Sequence, residues 1–157
     1  MTLDILALIV SLGAAVAAYW AVREARSARR QNLRVDARHD AEAAIALAKR
    51  LAQNSGRAIS ETRASLSAFG AHNSGRARLT IGEIEENASR AEQIASELEG
   101  LLKGIAGQSG DVLENAAVRI RRLKNDVDAI QDFFDENQRH NERLSDLKHQ
   151  QMASMKR

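Results

Sequence analysis

Residues 113–144 read LENAAVRIRRLKNDVDAIQDFFDENQRHNERL. Their apolar side chains fall at Leu113, Ala116, Ile120, Leu123, Val127, Ile130 and Phe134, in alternating steps of three and four. That spacing keeps one stripe of a helix turned toward a neighbour, the pattern of coiled-coil packing. The same register continues through Asn137 and Asn141 to Leu144. An Asn inside such a seam either fixes the register or oligomeric state at a cost in stability, or marks where the helix outruns its partners.

Working back along the chain, two further blocks carry the same spacing. One runs Ala41, Ile45, Ala48, Ala52, Ser55, Ile59, Thr62, Leu66, Phe69. The other runs Ile81, Ile84, Ala88, Ala91, Ala95, Leu98, Leu102, Ile105. Extra apolar residues at Ala44, Leu47, Leu51, Ile94, Leu101 and Val112 widen the stripes, so that each helix meets two neighbours rather than one. The expected helix-association positions of the body are Ile45, Ile59, Leu66, Ile84, Leu98, Leu102, Ile120, Leu123, Val127 and Ile130.

The blocks are separated by Gly70-Ala71-His72-Asn73-Ser74-Gly75 and by Gly107-Gln108-Ser109-Gly110-Asp111. Glycine after a periodic run is a helix stop signal, and Ser109 or Asp111 can cap the helix that follows. The seam also changes phase at both breaks, as it does when a turn restarts the register. Two glycines within six residues weaken a continuous helix by roughly 1 kcal/mol each, which favours turns over a skip and a stutter in one rod. The pentapeptide Asn54-Ser55-Gly56-Arg57-Ala58 recurs at Asn73–Ala77, but at a separation that is no heptad multiple, and it does not make a repeat protein.

The amino end differs in kind. Residues 5–22, ILALIVSLGAAVAAYWAV, contain no charge, and Arg23, Arg26, Arg29, Arg30, Arg34 and Arg38 follow. About 20 apolar residues at ~1.5 Å rise match a ~30 Å hydrocarbon core. A cleaved signal would carry its positive charge before the apolar run, whereas here Asp4 precedes it and the arginines follow. A buried helix of a soluble protein would need an apolar surface to cover it, and the rest of the chain offers narrow stripes. The run is therefore expected to be a transmembrane anchor at 1–22. Tyr19 and Trp20 suit the headgroup level, and the arginine bias puts the amino terminus outside and the body in the cytoplasm, at a membrane of the bacterial inner type. Tyr19, Trp20, Arg23, Arg26, Arg29 and Arg30 are the expected membrane-interface residues. Small side chains at Gly13, Ala17 and Ala21 share helical spacing, which permits close helix association in lipid.

Composition agrees with this division. The 157 residues contain no Pro and no Cys, and 3% are aromatic. The absence of Cys excludes disulfides, cysteine metal sites and a thiol nucleophile. With only Phe69, Phe133 and Phe134 outside the apolar run, the body is expected to pack as Ala- and Leu-lined helices rather than as a thick globular core. The net charge of +2 hides a basic segment at 23–38 and a mixed surface beyond it. That mixture lacks the basic stripe with stacking aromatics of a nucleic-acid binder. His39, His72, His140 and His149 form no metal-ligand spacing, and no phosphate-binding glycine loop or hydrolase constellation is present. No enzyme activity, cofactor, metal or small-molecule substrate is expected.

The expected fold is all-α: an anchor at 1–22, an Arg-rich juxtamembrane helix at 23–40, a helical coiled-coil body at 41–150 with turns near 70–76 and 107–111, and a frayed tail at 151–157. Short connections favour an antiparallel three-helix arrangement, with one long interrupted coiled-coil rod as the alternative. The expected function is a membrane-anchored coiled-coil scaffold or adaptor. It would self-associate or dock helical partners at the cytoplasmic face, its partners being the bilayer and either its own copies or another helical protein. The alternative is a membrane-active protein, such as a phage lysis component or a small toxin-like effector, acting through an oligomerised span.

Overall fold

The computed structural model describes residues 2–70, 74–105 and 110–155, with side chains from residue 13 to residue 154. Three helices follow one another: α1 Thr2–Ser67, α2 Gly75–Ile105 and α3 Asp111–Met155. No strand occurs among the described residues. The chain is a three-helix bundle rather than a single rod, and each helix touches both others.

Both turns form where the glycines stand. Gly70 ends α1 with φ of 68°, and its N–H donates to the Ser67 carbonyl at 3.0 Å. This left-handed position closes the last turn, and glycine takes it without a Cβ penalty. Ser74 then caps α2, its hydroxyl accepting from the Ala77 N–H at 3.2 Å. At the second turn Gly110 has φ of 60°, and its carbonyl accepts the first bond of α3 from Glu114 at 3.3 Å. The expected cap Ser109 and the turn residue His72 lie outside the described residues. Asp111 and Glu114 in the first turn of α3 suit the positive end of its dipole.

Interhelical ion pairs define the directions. Lys49 on α1 meets Glu99 on α2 at 2.7 Å. Glu97 and Asp126 link α2 to α3 through Arg119 at 2.7 Å and Arg90 at 3.7 Å. Pairing early residues with late ones makes α2 antiparallel to both neighbours. Asp40 meets Lys124 at 2.7 Å, and farther along Thr62 meets Asn137 at 3.1 Å, so α1 and α3 run parallel.

The core is thin and rich in alanine. On α1 it consists of Ala37, Ala41, Ala44, Ala48 and Leu51, all buried. Small side chains on this face let α1 sit close to two helices at once, where larger ones would hold the axes apart. The facing helices supply the bulk, with Ile84, Leu98, Leu113, Ile120 and Val127 fully buried. Packing begins at Ala37, with Leu33 against the core, inside the segment read as a juxtamembrane helix at 23–40. At the other end α3 runs to Met155, through the start of the tail expected to fray from 151. Its residues 145–154 are exposed, so this extension is held by its own backbone bonds.

The expected anchor and the first body block belong to one unbroken helix of 66 residues, about 100 Å long. Gly56, within it, does not interrupt it. Among the described residues no helix is long and apolar enough to cross a membrane. Residues 5–12 of the expected span lie outside the described side chains.

Candidate functional site

Two surfaces carry features beyond packing. The first is the free part of α1. Every side chain from Gly13 to Asn32 is exposed, and the start of α3 comes near only the last turns of this segment, from Arg26 on. Tyr19 is 67% exposed and Trp20 61%, values that would be unusual for aromatic side chains with a protein partner. The Arg23 guanidinium lies over the Trp20 ring, 5.6 Å from its centroid. This cation–π contact couples the last aromatic of the apolar run to the first arginine. Tyr19, Val22, Arg23, Arg26 and Arg30 lie along one exposed face of the helix.

The α2–α3 turn returns to this segment. Gly110, Asp111, Leu113 and Glu114 border a small hollow with Arg26, Arg29, Arg30 and Leu33. The base of the bundle therefore stands beside the arginines, as an antiparallel arrangement requires. Among the described residues, Arg23, Arg26, Arg29 and Arg30 make no ion pair, although Asp111 and Glu114 border the same hollow. Gly13, Ala17 and Ala21 are exposed, with no atom within 4 Å of a Cβ built at Gly13.

The body positions expected to associate helices do so within this chain. Ile84, Leu98, Ile120, Leu123, Val127 and Ile130 are buried. Ile45, Ile59, Leu66 and Leu102 are half-buried. Of the residues expected to widen the stripes, Ala44, Leu51 and Ile94 are buried, whereas Val112 is 56% exposed.

The second surface is the groove between the parallel helices α1 and α3. It has a volume of about 350 Å³, and its apolar floor includes Leu47, Leu51 and Phe134. Arg50, Arg57, Glu61 and Asp135 stand on its walls. At its distal end lies a polar layer. Asn141 Nδ2 donates to Thr62 Oγ1 at 3.1 Å and to Asn137 Oδ1 at 3.0 Å, and the Thr62 hydroxyl is 3.1 Å from the same Asn137 oxygen. Thr62 is 2% exposed and Asn141 7%, so these groups must find one another rather than water. The Asn residues therefore belong to the bundle and not to a helix that has outrun it. Thr62 stands in the first seam and the Asn pair in the third, but their joining rests on α1 and α3 being parallel, which periodicity alone does not state.

Ion pairs set the charge states that depart from ordinary values. The hydrogen bond from Lys49, with its charge, holds the Glu99 carboxyl below the usual carboxylate range. The hydrogen bond to Asp40 raises the Lys124 ammonium above its usual value. Arg38 and Arg57 are raised further by hydrogen bonds to Glu42 and Glu61, each one turn along α1. Among the described residues, no three His, Asp or Glu side chains converge on a point where a metal ion would fit. Comparison with protein-family models, with curated proteins and with solved structures finds no match.

Proposed function

We propose that this protein is a membrane-anchored helical scaffold, in which α1 serves as both anchor and spine. The observation that carries the reading is the continuity of α1. The uncharged run at 5–22 and the bundle core that begins at Ala37 lie on one unbroken helix. With no hinge between them, a bilayer around the first segment fixes the distance and tilt of the bundle. From Val22 to Ala37 the helix rises about 22 Å, so the packed core begins beyond the headgroups, while the α2–α3 turn comes back beside Arg26, Arg29 and Arg30. Burial of the body seams within one chain shapes the scaffold's mode of action. Partners, whether copies of this chain or other helical proteins, would meet its outer surfaces. The α1–α3 groove offers them an apolar floor with charged walls, and the anchor raises their local concentration.

The reading is tested by fusing a reporter active only in the cytoplasm to the carboxyl end. Activity is expected, together with retention of the protein in the membrane fraction after a high-salt wash. A silent reporter with labelling from the outer side would reverse the orientation, and release by salt would remove the anchor.

A further inference from the structure

We propose that Arg23, Arg26 and Arg30, together with Tyr19 and Trp20, form a headgroup-binding face that selects anionic phospholipids from the bilayer; the inference rests on the reading of residues 5–22 as a span. A signal for topology needs only a number of basic residues near the end of the span. Here their placement is more ordered than that. Tyr19, Arg23, Arg26 and Arg30 follow steps of four, three and four, which sets them along one face of α1. Residues 23–30 hold four arginines against the single acid Glu24.

The arginines are also available. All four are exposed and, among the described residues, free of carboxylate partners, in contrast to the ion-paired Arg38 and Arg57 farther along the same helix. Their depth suits phosphate. The polar layer on each side of a bilayer is roughly 5–7 Å thick. With Trp20 at the boundary of that layer, Arg23 lies ~4.5 Å and Arg26 ~9 Å farther along the helix, within reach of the phosphates through their long side chains. Arg30, at ~15 Å, lies within about one Debye length of the outer edge. Arg23 is already oriented by its contact with Trp20. A planar guanidinium recognises phosphate oxygens two at a time; in zwitterionic lipids a cationic amine beyond the phosphate offsets that negative charge and repels the arginines, and in anionic lipids such as phosphatidylglycerol no such cation is present.

Trp20 is the only tryptophan of the chain, so its fluorescence reports on this one place. The full chain is reconstituted in vesicles of equal parts phosphatidylcholine and phosphatidylglycerol, with bromine, a quencher, on the acyl chains of one lipid or the other. The expected result is quenching about twofold stronger with brominated phosphatidylglycerol. The variant carrying Arg23→Gln, Arg26→Gln and Arg30→Gln should equalise the two. Equal quenching in the unaltered chain would overturn the proposal while leaving the anchor intact. A preference that survives the triple substitution would overturn its assignment to these arginines. Absence of quenching by either lipid would overturn the span at 5–22, and the headgroup face with it.

Discussion

Thr62 and Asn141 show how much one side chain decides in a thin core. Replacing Thr62 by Val keeps the shape but removes the hydroxyl that joins α1 to the Asn pair. The stranded amide then loses a partner away from water, and the unfolding free energy should fall by roughly 1–3 kcal/mol. Urea denaturation measures this, and an unchanged midpoint would mean that water replaces the hydroxyl at no cost. The glycines divide by conformation in the same way. Gly70 has a positive φ, so Gly70→Ala should destabilise by about 1–2 kcal/mol. Gly82 lies inside α2 with nothing within 4 Å of an added Cβ, so Gly82→Ala should instead stabilise by about 0.5–1 kcal/mol. Opposite shifts in thermal midpoint for these two alanines are the expected signature, and shifts of one sign would contradict the turn geometry. The seam already separates the two, since Gly70 opens the break after the first block and Gly82 lies between Ile81 and Ile84 of the second, and the backbone angle at Gly70 agrees.

At the scale of the helix, burial follows the seam closely. From Leu113 through Ile130 the six seam residues of α3 are all buried, because a 3–4 spacing leaves little choice of which side faces the core. Leu98→Ala on α2 should therefore cost about 2–5 kcal/mol, as a fully buried leucine does when a cavity is left behind. Val118→Ala, on the 63% exposed side of α3, should change stability by less than about 0.5 kcal/mol. A comparable loss at both positions in chemical denaturation would mean that a second surface covers α3 in solution. The ends of the elements were harder to read. Leu33, Ala37 and Ala41 continue the body seam upstream in steps of four, but arginines surround them and short alanines give little hydrophobic contrast. At the far end of α3 the polar run after Leu147 contains no breaker before Met155, and helix-forming residues alone carry the element on. Ser74 as the cap of α2 was legible in principle, since a serine three residues before Ala77 fits the capping spacing.

Across the whole molecule, direction and charge are decided by pairs that no single block contains. The sequence favours turns at both breaks, and from two turns an antiparallel succession follows; which charges then face one another depends on the register of one helix against another. Their pH dependence follows with definite sign. Glu99 is held below its ordinary range by Lys49, so its contribution is present above the unfolded carboxylate value and is lost as pH falls through the lowered one. Lys124 is raised by Asp40, so its contribution is present below the unfolded lysine value and is lost as pH rises through the raised one. Thermal midpoints should thus fall at both extremes, with Glu99→Gln flattening the acid limb and Asp40→Asn the alkaline one. Unaltered limbs in these variants would assign the pH dependence to other groups. Independence of the bundle from the projecting helix is the last consequence. Every core residue lies between Ala37 and Ile130, with Leu33 packed on the outside, and no described side chain from 13 to 32 is buried. A fragment of residues 33–157 should therefore fold with the same cooperative unfolding as the full chain and sediment as a monomer, since its seams are filled from within. A stable dimer of this fragment would show that the outer surfaces, the α1–α3 groove foremost, associate without the membrane. Failure to fold would mean that the exposed turns of α1 hold the bundle together from outside its core.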